Sequence, residues 1–396
     1  MTNLYSFRPE EELLLCCART EPNIAAAERI RELLHGGLDW AYVEAMAQRH
    51  KIQPLLFWNL KQHAADHVPA ETLTALQEQY MGNAWLNHHF SREVVNLVRV
   101  FGACHIPVIP LKGVTLAASV YGNLALRHAG DIDILIPEQD VPRAKALLHE
   151  QGFQGPAMTA AEEAAYLQAA LHFAFSRPGT RATVELHWDI HPKHIPHQFD
   201  FEAMWRRTER VDLGGTSVAT LPPDDLLPYL CNHAGGHRWS NLRWVCDIAE
   251  AMRCHQQHLD WEKMAQQATT EGTRRMFLLG LGLAYRLLDA PLPKVVNSWL
   301  EADPGLQSLA ARESARLFQN VDPPDQDDIK RFLYRLKTLD NPRARIRYVR
   351  HILAPHNTTG KKFSLPRPLS FLYYLLRPVR FSLKYALNRL KSVREV

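Results

Sequence analysis

The run DIDILIP at residues 131–137 decides how this chain of 396 residues is read. Its alternation is that of a β-strand, whose successive side chains point to opposite faces. Asp131 and Asp133 therefore share one face, and Ile132, Ile134 and Ile136 enter a core on the other. Two carboxylates at one edge repel each other unless something bridges them. Hard oxygen ligands on a rigid strand suit Mg²⁺ (or Mn²⁺), which takes one or two carboxylates and completes its shell with substrate phosphates. The bland alternative is a solvated strand end, whose stability would if anything gain from removing a like charge. A bare Asp-x-Asp is common by chance, and taken alone it favours the bland alternative.

The segment upstream sharpens the reading. Residues 106–111, IPVIPL, form a short apolar run closed by Lys112 and Gly113, and VTLAASVY at 114–121 has the texture of a helix. A strand, a glycine turn and a helix are expected. Glycine there allows close backbone approach, free amides at the helix start can hold an anion, and Lys112 adds a point charge. Arg127 offers a further phosphate contact, its alternative being a solvated loop arginine.

Downstream, VPRAKALLHEQ (141–151) and TAAEEAAYLQA (159–169) read as helices. LHFAFSR and ATVELHWDI around the turn PGTR (178–181) read as a hairpin. Two metal ions need a third acid. Alternation puts Glu185, His187 and Asp189 on one face, with Glu185 as the candidate metal ligand or base and His187 as its partner or a structural histidine. His187, His191, His194 and His197 also invite a zinc reading, weakened by the absence of the i,i+4 helical pair that a zinc protease uses. No GxSxG elbow or P-loop occurs.

Outside this α/β unit the chain reads as helical, from residue 9 to about 103 and again from about Asp200. In the later part Arg243 and Asp247 have the spacing of an i,i+4 ion pair, and the alternative is that His233 or Arg243 reaches a nucleotide. Charge is divided unevenly. Residues 330–396 hold 17 Lys or Arg against two acids, leaving 29 basic and 40 acidic residues before them. The tail therefore fits either an anionic membrane surface or the acidic body itself, and that body disfavours nucleic acid as a partner. Six cysteines without CxxC spacing read as reduced thiols. No apolar run approaches the roughly 18 residues of a membrane span, and the N-terminal sequence lacks the pattern of a secretion signal. The expected location is the cytoplasm, with peripheral contact at the inner membrane face through the tail as the further option.

The run LKG (111–113), YGNLALRHAGDIDILIP (121–137) and VELHWDI (184–190) resembles a bacterial nucleotidyltransferase family of uncharacterised members within the DNA polymerase beta superfamily. The similarity extends over roughly residues 10 to 300, including HKIQPLLFWNL and CNHAGGHRWSNLRWVCDIAEAM. It implies a small mixed sheet, a carboxylate triad of Asp131, Asp133 and Glu185, Mg²⁺ and a nucleoside triphosphate, with Lys112 and Gly113 as the phosphate turn. Two features depart from the wider superfamily: Gly113 is followed by Val114 rather than serine, and 17 residues separate it from Asp131. Thr115 is the candidate replacement for the serine hydroxyl.

The fold expected is α+β: a helical region at 1–103, a nucleotidyltransferase core at 104–199, a helical domain at 200–329 and a basic helical tail at 330–396. The function expected is Mg²⁺-dependent transfer of a nucleotidyl group, most simply from ATP, to a small-molecule, peptide or protein acceptor. The rival readings are a nucleotide-binding protein without turnover and a zinc hydrolase.

Overall fold

The computed structural model describes residues 6–191, 200–319 and 328–353. Its first helices are Pro9–Cys17, Ile24–Leu34, Trp40–His50, Gln53–His63 and the long Ala70–Ala103. Local chemistry explains their ends. Asn23 and Asp39 accept hydrogen bonds from the amides of Ala26 and Tyr42, satisfying donors that a first helical turn leaves without partners. Trp40–His50 stops at Lys51, which adopts the left-handed conformation at φ 56°.

Four strands follow: β1 (Ile109–Pro110), β2 (Ile132–Leu135), β3 (His172–Ser176) and β4 (Thr183–His187). Their order is β1-β2-β4-β3, with β2 parallel to β4 and the other two pairs antiparallel. A parallel neighbour cannot be reached by a tight turn. The chain therefore crosses over through the helices Val141–Glu150 and Ala160–Ala169 before β3 and β4 close the expected hairpin.

Ile132, Ile134, Ile136, Val184 and Leu186 project from one face into a core with Phe90, Leu97 and Phe101 of the long helix and Leu148 of the crossover. This is the alternation expected of DIDILIP. The opposite face carries Asp133, Glu185 and His187, while Leu135 and Ile109 join a second core built from the front helices and those beyond residue 220. Both faces are covered, so the polar residues of β2 and β4 lie where charge must find a partner.

One expectation is corrected. The chain after Asp200 is not wholly helical, because β5 (Glu209–Asp212) and β6 (Ser217–Thr220) form an antiparallel hairpin against β1. Gly214 and Gly215 turn it at φ 63° and 81°, a region glycine enters without steric cost. The Gly-Gly pair between runs containing Val211, Leu213 and Val218 was the signal.

Helices then run from Pro223–Gly236 through Leu242–Cys254, Trp261–Glu271, Arg274–Leu288, Lys294–Glu301 and Pro304–Leu317 to Asp328–Thr338 and Pro342–Leu353. The last two contain the described part of the basic tail, and they pack on the body. The indole of Trp239 donates to the Tyr334 hydroxyl at 2.6 Å, and the Asp340 carboxylate accepts from the amides of Arg274 and Arg275 at 2.9 and 2.8 Å. The interfacial pattern expected at 361–396 lies outside the described residues. Among those described, no helix is long and apolar enough to cross a membrane.

Candidate active site

After β1 the Leu111 amide bonds to the Asp133 carbonyl at 3.0 Å, and the chain turns at Gly113. Gly113 sits at φ 70°, ψ −130°, a conformation essentially restricted to glycine. A Cβ added there would lie 3.3 Å from the Asp131 carbonyl oxygen. The turn therefore presses directly on the strand that bears the acid pair, and the helix Val114–Ser119 starts from it. Thr115, in its first turn, is buried with its hydroxyl unpartnered among the described residues.

The parallel register places Asp133 beside Glu185. One oxygen each of Asp131, Asp133 and Glu185 fall within 4.8 Å of one another, a donor set that fits a hard divalent cation. The three differ in access: the side chains of Asp131 and Glu185 are 38% and 26% exposed, that of Asp133 not at all.

Two cations meet the acids. Lys112 Nζ stands 2.9 Å from Asp133 Oδ2 and 3.7 Å from Asp131 Oδ1. His187 Nε2 lies 3.2 Å from Asp133 Oδ1 and 3.3 Å from Glu185 Oε2. Burial pushes the Asp133 carboxyl up, but Lys112 and His187 overcome it and hold the group below its ordinary range. Glu185 likewise overcomes burial, through the His187 hydrogen bond and the nearby His172 and Lys112, and is held down to about 2. A carboxylate held so low stays ionised, the form a metal ligand needs. Burial disfavours charge on Lys112 and His187, yet the facing acids raise both.

Arg127 is placed differently from the expectation. Its guanidinium is buried behind the turn, with Nε 2.7 Å from Asp247 Oδ1 and Nη2 2.9 Å from Oδ2, while Nη1 donates to the Gly113 carbonyl at 3.2 Å. The Tyr121 hydroxyl donates to the same Asp247 at 2.7 Å. Arg127 thus ties the turn to the helix Leu242–Cys254 instead of facing a phosphate. Because Asp247 is engaged there, the i,i+4 pair with Arg243 does not form among the described residues; Arg243 donates to the His128 carbonyl.

His233 does approach the site. Burial and then the charge of Lys112 hold it well below the usual histidine range. Its ring lies 6.0 Å from Tyr229 and 4.9 Å from His237, which stacks on Trp244 at 4.8 Å. Tyr229 is raised by burial and then by the charges of Asp133 and Glu185. Lys51 was overlooked. Burial and then the charge of Arg243 lower it, with the charge of Asp131 opposing, so a second lysine feels the field of the exposed acid. No motif marked it; only the left-handed turn at the end of its helix brings it there.

The other histidines separate from this cluster. His191 lies 3.5 Å from both Asp189 and Glu271, and His194 and His197 lie outside the described residues. Burial opposes charge on His191, but the two carboxylates overcome it and raise the group to about 9. A histidine raised on folding stabilises fully below its unfolded value of roughly 6.5 and loses that contribution as pH climbs through the folded value. Stability is therefore expected to fall between pH 6.5 and 9 more steeply than in His191→Gln. Denaturant titrations across this window check it; parallel slopes would refute it.

A small mixed sheet thus sets three carboxylates against a lysine-glycine turn, groups able to hold a divalent cation and a phosphate. Residues 36–289 match the family described as "Uncharacterised nucleotidyltransferase", and the chain belongs to that family. No curated protein matches it. Among solved structures, it is similar to an antigenic nucleotidyltransferase-like protein from Paracoccidioides brasiliensis at 15% identity, over 56% of this chain and 91% of that one, with a TM-score of 0.28.

Proposed function

We propose that this nucleotidyltransferase is a Mg²⁺-dependent (or Mn²⁺-dependent) enzyme of the DNA polymerase beta superfamily that moves a nucleotidyl group, most simply from ATP, to a hydroxyl-bearing acceptor. The observation that carries the reading is the convergence of Asp131, Asp133 and Glu185 within 4.8 Å beside the Lys112-Gly113 turn. Asp131, Asp133 and Glu185 would hold the cations, which supply charge neutralisation for the acceptor oxygen and the leaving pyrophosphate. Lys112, which pairs with Asp133 and stands near Asp131, would turn to the phosphates once a cation took those acids. Lys51 and Arg243 add positive charge felt by Asp131, and the buried Tyr229 and His233 feel the charges of the acids and of Lys112. The acceptor oxygen attacks the α-phosphorus, the bond to the bridging oxygen of pyrophosphate breaks, and the hydroxyl proton passes to solvent.

On this reading residues 104–199 carry the chemistry and the flanking helical regions enclose it. The acceptor side falls to a cleft of about 560 Å³ lined by Gln53, Gln79, Asn83, Trp85, His128 and Arg181. A small molecule or an extended peptide or protein segment fits such a cleft, in a cytoplasmic protein with the basic tail as its membrane-facing or body-facing part. Calorimetry with ATP and Mg²⁺, followed by measurement of pyrophosphate release, tests the proposal. Binding without release would support a nucleotide-binding protein without turnover, the reading favoured by Val114 in place of serine at the turn.

Lys112→Ala is expected to weaken ATP binding by one to two decades, since a charged hydrogen bond is worth roughly 1.5–3 kcal/mol. The same change should tighten Mg²⁺ binding without nucleotide, because Lys112 occupies the acids in the free protein. Calorimetry of each ligand separately decides, and an ATP affinity equal to the parent's removes Lys112 from the site.

A further inference from the structure

We infer that β3 and β4 carry a second cation site, built from His172, His187 and Glu185 and selective for a borderline transition ion such as Zn²⁺. His172 is the cross-strand partner of His187, so both project from the sheet face that bears Glu185, two residues earlier on β4. Their rings lie 4.7 Å apart by centroid. His187 Nε2 is 3.3 Å from Glu185 Oε2, and His172 Nε2 is 3.8 Å from Glu185 Oε1. All three residues offer ligand atoms within 4.8 Å of one another.

These spacings have a specific meaning. Ligand atoms about 2.1 Å from a tetrahedral Zn²⁺ ion stand about 3.4 Å from each other, close to the 3.3 and 3.8 Å between each histidine and the Glu185 carboxylate. Two imidazole nitrogens and one carboxylate oxygen form a set that favours Zn²⁺, Co²⁺ or Ni²⁺ over Mg²⁺, which takes oxygen ligands almost alone. The set also leaves a coordination position open. β3 is the outermost strand, His172 is 37% exposed, and the residue paired with Glu185 on β3 is the small, exposed Ala174. An ion can therefore enter from solvent and keep a water ligand.

The site is distinct from the triad of carboxylates in two of its three ligands and shares only Glu185. An ion held by the histidines draws Glu185 away from Asp131 and Asp133. Transition ions would then oppose Mg²⁺ at the neighbouring site, a consequence that rests on the function proposed above; the binding itself does not.

The test uses the full-length, metal-free chain with Zn²⁺ alone, titrated by calorimetry, and Co²⁺ alone, followed by its visible absorption. One Zn²⁺ per chain sensitive to His172 is expected. His172→Ala and His172→Gln, both at a partly exposed position, should weaken it about 100-fold or more, since losing merely a hydrogen-bonding partner of a ligand already costs about 10–100-fold, and should abolish the Co²⁺ spectrum. Asp131→Asn should leave Zn²⁺ affinity within about twofold. The proposal is overturned if the parent takes up no Zn²⁺, if both His172 variants bind it as tightly as the parent, or if Asp131→Asn weakens it as much as His172→Ala. Melting curves without metal establish that each variant is folded. Because no nucleotide is present, failure here is separate from failure of the transfer reaction, which pyrophosphate release reads independently.

Discussion

Asp131→Asn is expected to abolish metal-dependent nucleotidyl transfer while leaving the melting temperature unchanged, whereas Asp133→Asn should abolish transfer and lower the melting temperature by several degrees. Both changes remove one carboxylate of the same triad. They differ in what each leaves behind. Asp131 is 38% exposed and 3.7 Å from Lys112, an arrangement of the kind worth little to stability. Asp133 is wholly buried, 2.9 Å from Lys112 and 3.2 Å from His187. Neutralising it strands a buried lysine, and breaking a buried pair by removing one partner costs about 3–5 kcal/mol. On sequence grounds, removing either like charge should stabilise the protein; the buried cations reverse that expectation for Asp133. Thermal melts and pyrophosphate release on the two single variants check it. Normal transfer by Asp131→Asn would remove it from the chemistry, and an unchanged melt of Asp133→Asn would show that Lys112 finds another partner.

Asp247→Leu is expected to be among the most damaging changes away from the carboxylates. It leaves the Arg127 guanidinium, held by both Asp247 oxygens and by the Gly113 carbonyl, charged and buried without its counter-ion, at a cost again of about 3–5 kcal/mol. Pairing it with Arg127→Met should recover most of that stability, since apolar residues of similar volume often replace a buried ion pair without loss. The double variant should still bind ATP more weakly than the parent, because the Lys112-Gly113 turn has lost the donor that fixes its carbonyl. Denaturant unfolding and ATP calorimetry on the two variants separate these effects. If the double variant regains both stability and ATP affinity, Arg127 serves the fold alone.

The α+β architecture, the four strands and the common face of Asp133, Glu185 and His187 were legible because each depends on a period-two pattern within a few residues. DIDILIP and ATVELHWDI carry their own instructions: alternate residues enter the core, and the polar ones must take the other side. The Lys112-Gly113 turn was legible for a similar reason, since only glycine fits the backbone there. The β5–β6 hairpin was equally local, and it was missed because it lies between helical segments.

What joins these pieces was not written locally. Asp247 reaches Arg127 across 120 residues, Lys51 at the end of Trp40–His50 feels the charge of Asp131, and His172 faces Glu185 only once β3 pairs with β4. A residue's direction is set by its own backbone, so sequence alone determined which side chains share a face. Its partner is set by where the core lets two distant segments meet, and burial then decides which charges must pair; those assignments belonged to the tertiary structure.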